Sequence, residues 1–363
     1  MAINLTSQTF TTKSGKHLEI KRVDIQEIHN SILDQYFDIY LHQYYEMYPK
    51  DDPPPNKQAT IHAILTPHPH YTVTRWLVFE NETLVGYSFT SETNEKNPAH
   101  NIRNHIIMGF IAIHPQYRRQ HIAKELLKVI VTYAGQNGKK IIQTDVYTTQ
   151  AKNFIENTLK VTPAKTGNEN RLYLHKIDWN LINKWIEDGK GRNPGVILSL
   201  HNRIPDDLIE EFCEIYNITS DQEPSGELEE QYVETSESRR VMEVRFKELN
   251  QELLTIITQE QDMKISSLTE ILFDPNAEYQ ASQLLTGVKE EYRGKGLGKW
   301  IKASMLNHLK ENYPTIKFVR TGNADLNAPM RSINDRLGFK TIFKRYDYNI
   351  ESNHAARMLD LEI

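Results

Sequence analysis

The sequence predicts an α+β fold of two tandem domains, each a mixed, mostly antiparallel sheet flanked by helices. Three observations lead there. The chain has 363 residues, beyond the size at which one hydrophobic core stops growing. Strand-like and helix-like segments recur in the same order in its two halves. Each half also carries an arginine-bearing loop that opens a helix, at Arg118 and Arg293, spaced by a domain length and not by a solenoid repeat. The expected division is 1–178, a linker at 179–194 marked by Gly189, Gly191 and Pro194, and 195–363.

In the first half, an apolar-alternating run at 18–23 reads as a strand, and a helical pattern fills 25–48. The run Asp51-Asp52-Pro53-Pro54-Pro55 stops any helix, because proline lacks the donor and disfavours helical geometry before it. Strands are expected at 71–80, 84–90 and 106–113, the first two joined by a short turn at Asn81-Glu82-Thr83. A helix at 122–134, a strand at 140–146, a helix at 149–159 and a strand at 171–177 complete the half. In the second half, helices are expected at 205–216 and 236–250, with a polar loop at 219–234 between them. Strands follow at 253–258, 265–273 and 281–288. A helix reaching 309, a strand at 317–321, a helix at 327–337 and a strand at 340–346 close the chain.

Composition narrows the class of function. Apolar residues at 39% and charged residues at 25% describe an ordinary globular protein. A net charge of −5 gives no reason to expect nucleic acid as a partner, which would need clustered Lys and Arg. No apolar run approaches the ~20 residues that span a bilayer, and the polar start of the chain lacks the order of a signal peptide. The lone cysteine, Cys213, excludes an internal disulfide and sits in a helical pattern as a small buried residue. A cytoplasmic protein without membrane or nucleic-acid partners, monomeric or homodimeric, is expected. His68 and His70 lack companion ligands at suitable spacing, so no metal is expected. Tyr36, Tyr40, Tyr44 and Tyr48 form a stripe at i+4 spacing that reads as a core face. Contact of this stripe with a cationic acceptor is the lesser alternative.

The segment that carries chemistry is Val288-Lys289-Glu290-Glu291-Tyr292-Arg293-Gly294-Lys295-Gly296-Leu297-Gly298. An apolar strand ends at Val288 and a helix begins within the glycines. Alternating glycines let the backbone approach a ligand and adopt angles closed to other residues. Free amides at a helix start, with the positive end of its dipole, suit a diphosphate. Arg293 and Lys295 add charge at the rim. A dinucleotide site would place an acidic ribose partner about 20 residues on, yet residues 314–318 contain no carboxylate.

Arg293, Gly296 and Gly298 fill every fixed position of the cofactor loop of the GNAT superfamily of N-acyltransferases, which this sequence resembles. A second element, residues 327–339, has that family's helix-start asparagine, Asn327, and its closing Leu337-Gly338-Phe339. The tandem arrangement is similar to that of two-domain members, the group that includes mycothiol synthase. No residue here points to the sugar substrate of that enzyme.

The resemblance implies that acetyl-CoA is the cofactor. Its acyl-pantetheine arm would lie between two parallel strands that part, 281–288 and 317–321. The backbone of Val288 would meet the thioester and polarise its carbonyl. The amides of Gly294, Lys295, Gly296, Leu297 and Gly298 would hold the diphosphate beside Arg293, and Asn327 would bond near the cofactor arm. A small-molecule primary amine would attack the thioester directly. Glu270, a carboxylate among apolar residues on the neighbouring strand, is the first candidate for the base, with a solvent-facing position on the alternating face as the competing reading. Family members often carry a tyrosine acid where this chain has Asn334, which has no titratable proton, and Tyr292 and Tyr346 are weaker substitutes. The N-terminal loop keeps Arg118 and Ala123 but has His121 at the key glycine, and its second element at Asn153 lacks a following Leu-Gly-Phe. The activity is therefore expected in the C-terminal domain. A CoA-binding sensor without catalysis is the alternative.

Overall fold

The computed structural model describes residues 5–98, 100–220, 233–324 and 328–363. Its two compact units do not follow a single cut of the chain: one comprises Met1–Thr166 with Arg345–Ile363, the other Gly167–Lys344.

Unit 1 begins with β1 (Ser7–Thr11), β2 (His17–Val23), α1 (Asn30–Met47) and α2 (Lys57–Leu65). It continues with β3 (Tyr71–Glu80), β4 (Thr83–Thr93), α3 (His100–Arg103), β5 (Ile106–Ile113), α4 (Ile122–Gln136), β6 (Ile141–Val146) and α5 (Thr149–Leu159). Strand β7 (Lys165–Tyr173) crosses into unit 2. There it is followed by α6 (Trp179–Arg192), β8 (Ile197–His201), α7 (Ile209–Ser220), α8 (Ser236–Glu248), β9 (Glu252–Gln259), β10 (Ile265–Phe273) and β11 (Gln280–Val288). Then come α9 (Leu297–Asn312), β12 (Phe318–Ala324), α10 (Ala328–Leu337) and β13 (Lys340–Glu351), which returns to unit 1 and leads into α11 (Ser352–Met358).

Within unit 1 the strand order is β1-β2-β3-β4-β5-β6-β13, antiparallel throughout except for the parallel pair β5–β6. Within unit 2 it is β7-β12-β11-β10-β9-β8, with β11–β12 as the parallel pair. The mixed, mostly antiparallel sheets expected from the sequence are therefore present. Their last strands are exchanged: Gly167–Tyr173 from the first half completes the second sheet, and Arg345–Glu351 from the second half completes the first. Of the strand read at 171–177 only Arg171–Tyr173 lies in β7, Leu174–Lys176 being a turn of 3-10 helix; the strand read at 340–346 lies within β13, and the division at 178 and 195 does not follow the units. Local alternation identifies a strand without specifying its partner.

Each sheet buries both faces. In unit 1, Trp76, Val78, Val85 and Ile107 pack under α4 through Leu126 and Ile130, while Leu77 and Tyr87 on the opposite face meet Tyr36 and Ile39 of α1. Tyr36 stacks on Tyr87 with ring centres 3.8 Å apart, so this part of the tyrosine stripe is core. In unit 2, Leu254, Ile256 and Ile271 pack under α6 and α9, and Ile257, Ile265 and Leu268 pack under α7.

The segment expected to be a linker is a helix packed on α9. Asp178 caps α6 by accepting from the amides of Asn180 and Leu181, and Leu181, Ile182, Trp185 and Ile186 supply its 3.6-period apolar face. Gly189 faces the side chain of Trp300 so closely that a β-carbon would overlap Trp300 Cβ and Cγ. The glycine that reads as a connection is thus a point of close helix approach. Gly189→Ala gains ~1 kcal/mol of helix propensity but incurs overpacking of about 1–3 kcal/mol. A net loss of stability is expected in denaturant unfolding, and an unchanged or higher midpoint would show that the contact yields easily.

Candidate active site

The glycine loop of unit 2 leaves β11 through Lys289, whose amide donates to Ser266 O at 3.0 Å. A single turn of 3-10 helix, Glu290–Tyr292, leads to Arg293. Gly294 and Gly296 then adopt left-handed conformations, with φ of +80° and +87°, and Gly296 is the N-cap of α9. Gly298 brings the helix start close to its neighbours: a β-carbon there would already stand 3.5 Å from Val288 Cγ2 and 3.7 Å from Ile333 Cδ1. The loop is held from behind by Asn193, whose Nδ2 donates to Gly189 O at 2.8 Å and to Lys295 O at 3.2 Å.

The strands beside the loop part. The parallel ladder between β11 and β12 comprises Gln280–Phe318, Ala281–Val319 and Ser282–Arg320 and goes no further among the described residues. Thr321 Oγ1 donates to Gln283 O at 3.4 Å at the start of the opening. On its other edge, β11 carries a bulge: Thr269 pairs with Thr286 and Ile271 with Gln283, so Leu284 and Leu285 together oppose Glu270. A bulge bends a strand and re-aims its backbone groups.

Unit 1 has the same opening, since β5 and β6 pair only from Ile106–Ile141 to Met108–Gln143. Its β4–β5 ladder is regular from Gly86–Ile113 to Ser91–Met108 and has no bulge. Its loop follows the same backbone path as that of unit 2, but with side chains in the left-handed positions: Arg119 at φ +63° and His121 at +67°. Such a conformation costs roughly 1–2 kcal/mol per L-residue. Arg118 is also engaged, donating from Nε to Ile113 O at 3.1 Å and pairing with Glu46.

Glu270 is neither at the surface nor isolated. It is fully buried on the face covered by α7 and α8, where Oε1 accepts from Arg239 Nη2 at 2.6 Å and from Thr255 Oγ1 at 2.8 Å. Arg239 lies over the Phe212 ring at 4.5 Å and also approaches Glu243 at 3.4 Å. The solvent-facing reading of Glu270 is therefore excluded. A buried carboxylate needs such a partner, because an uncompensated one would cost several kcal/mol. Glu270 Oε2 is buried with no hydrogen-bond partner among the described residues.

Asn334, on α10, is buried and accepts from Lys302 Nζ at 2.9 Å. Lys302 is one helical turn beyond Gly298 on α9, and burial pushes its ammonium down to about 7. Sequence reasoning missed this lysine, although its place inside the apolar stripe of Leu297, Ile301, Met305 and Leu309 was a signal. Arg293 and Lys295 are exposed and Leu297 is buried. Asn327 lies outside the described residues, as does most of the loop read at 219–234. Tyr346 belongs to unit 1, where it pairs with Val146.

Cys213 is buried, and burial pushes its thiol up to about 12, which makes it inert. Asp38, His42 and His114 bring candidate metal-ligand atoms within 4.8 Å of one another in unit 1. His114 Nδ1 accepts from the Gln116 amide at 3.4 Å, and its Nε2 lies 3.5 Å from Asp38 Oδ2. No helix among the described residues is long and apolar enough to cross a membrane.

Unfolded, Lys302 titrates near the ordinary value of about 10.4. Below about pH 7 both states are protonated and the fold carries the full desolvation cost. Between there and about pH 10.4 the unfolded state binds the extra proton, so that cost shrinks as pH rises. Lys302→Met is expected to raise the urea midpoint most at pH 6 and least at pH 10; a gain independent of pH would contradict a buried titrating amine.

Comparison with known proteins adds the following. Residues 33–159 match the Acetyltransferase (GNAT) family, so the sequence match falls on the half whose loop lacks the glycines. No curated protein matches the sequence. Among solved structures, the chain is similar to a tandem GNAT protein from the clavulanic acid biosynthesis pathway, with a TM-score of 0.72 and 17% identity over 92% of this chain and 98% of that one. It is also similar to a GCN5-related N-acetyltransferase from Sphaerobacter thermophilus, with a TM-score of 0.59 and 11% identity over 92% and 96%. The N-myristoyltransferase of Saccharomyces cerevisiae gives a TM-score of 0.53 and 13% identity over 92% and 80%.

Proposed function

With the chain a tandem-domain member of the GNAT superfamily of N-acyltransferases, we propose that its C-terminal unit moves an acetyl or similar acyl group from acetyl-CoA to the primary amine of a small-molecule acceptor. The observation that carries this reading is the glycine occupancy of the left-handed positions at 294 and 296, where unit 1 has Arg119 and His121. Only the glycine version gives a diphosphate unobstructed access to the helix-start amides. The bulge at Leu284–Leu285 favours the same unit, because it disturbs the strand that would face the thioester.

In this reading the amides from Gly294 to Gly298 hold the diphosphate beside Arg293. Asn327 bonds near the cofactor arm, which enters the opening between β11 and β12. The backbone at Val288 polarises the acyl carbonyl while the acceptor amine attacks. Positioning of the two reactants supplies much of the acceleration. Glu270 Oε2 is the atom that takes the ammonium proton, directly or through water, with Arg239 fixing the other oxygen. Asn334 has no proton to give the leaving thiolate; Lys302, bonded to it, has one.

A second reading has an observation of its own. The family match lies at 33–159, and the N-terminal loop keeps the cradle path against its conformational preference, as functional sites often do. On that reading unit 1 binds the cofactor and unit 2 shapes the acceptor; the alternative from a different class is a CoA-binding sensor or scaffold without catalysis.

Thiol release from acetyl-CoA, measured on the full chain with a panel of amines, separates these. Gly296→Val is expected to lower turnover by about 100-fold or more, the scale of a misplaced reactant, whereas His121→Gly leaves it within about twofold. Equal losses, or a loss only at His121, would overturn the division of labour. Tight binding of acetyl-CoA without turnover on any amine would favour the sensor.

A further inference from the structure

In unit 2, α6 lies between β7 and β8 in chain order. Beyond holding the glycine loop through Asn193, α6 walls a cavity of about 260 Å³ together with α9 and α10. That is below the ~300–1,000 Å³ of a pocket enclosing a whole drug-sized ligand, and it suits one polar group of a larger molecule. Trp185 lines it, with Lys299 Nζ 5.8 Å and Arg336 Cζ 5.6 Å from its ring centre. Arg192 reaches the glycine loop: its Nη1 lies 3.7 Å from where a β-carbon on Gly296 would stand.

The charge in this cavity is unbalanced. Lys184, Arg192, Lys299 and Arg336 come from three elements, and Asp188 is the sole carboxylate in the lining. Asp188 is taken by Lys184 at 2.9 Å, with Arg192 at 4.0 Å. A larger cavity of about 470 Å³, on the β8 side of α6, has a single cation, Lys190, and does not reach Gly296. The smaller one is therefore the cavity that joins an excess of cations to the loop at Gly296.

We propose that this cavity binds the 3′-phosphate of the coenzyme A ribose, with Arg192 and Arg336 as its principal partners. The inference rests on the reading of residues 293–298 as a diphosphate cradle. The phosphorylated ribose is joined directly to the diphosphate, so an anchored diphosphate carries a second, dianionic group to a position beside the loop. Arginine forks match phosphate oxygens in pairs. The arrangement makes α6 part of the cofactor site.

The test is calorimetric binding of coenzyme A and of 3′-dephospho-coenzyme A to the full chain and to Arg192→Gln/Arg336→Gln. The wild-type chain is expected to bind coenzyme A about tenfold or more tightly than the dephospho form, the scale of one to two charge-assisted contacts. The variant is expected to bind both within about twofold of each other, with dephospho-coenzyme A affinity unchanged, which also reports an intact fold. Equal affinities in the wild-type chain would overturn the proposal, as would a variant that still discriminates. If the wild-type chain binds neither compound, the cradle reading itself fails and the proposal falls with it.

Discussion

The close packing of α6 on α9 is the constraint on which the candidate site depends. It exists because Gly189 has no side chain to meet Trp300. At that separation Asn193, at the end of α6, reaches Lys295 O and fixes the loop between two left-handed glycines. A loop with such conformational freedom would lose much entropy on binding an anion. Holding one of its carbonyls in advance reduces that loss. The same contact brings Arg192 beside Gly296, so one packing decision sets both the shape of the loop and the charge next to it.

Within unit 2, polar groups are buried in pairs. Glu270 of β10, beside β11, pairs with Arg239 of α8, and Lys302 of α9 pairs with Asn334 of α10. Pairs of this kind are weak evidence for stability, since hydrophobic residues often replace them without loss. Their cost makes sense where a charge or a proton must be held in a fixed place. Unit 1 shows the opposite economy: its loop retains the cradle path, yet Arg118 is engaged by Glu46 and His121 fills the position of Gly296.

The glycine loop was legible in the sequence because its requirement is local: left-handed backbone at a helix start favours glycine whatever surrounds it. Most strands of both sheets were legible through alternation, but the edge strands β1 and β8 were not read. What sequence could not show was partnership. The strands at 165–173 and 340–351 were visible only in part, as runs at 171–177 and 340–346, and nothing local to either says that the two halves exchange them. The helix at 179–192 was hidden because Gly189 and Gly191 read as punctuation, whereas Gly189 answers to Trp300, more than a hundred residues away. Glu270 stood out as a polar residue among apolar ones, but its register, and therefore Arg239, depended on tertiary packing. Lys302 was visible in the apolar stripe of α9 and was passed over, although a charge at a core position is itself a signal.

The central claim is that acyl-coenzyme A is held by the loop of unit 2, at residues 293–298, and not by its counterpart in unit 1. Amide hydrogen exchange across the full chain, with and without acetyl-CoA, tests it most directly, because the amides at issue are themselves the ligand-binding groups. Slowed exchange at residues 294–298 with no change at 119–123 is the result expected. Slowing at 119–123 with none at 294–298 would contradict the account.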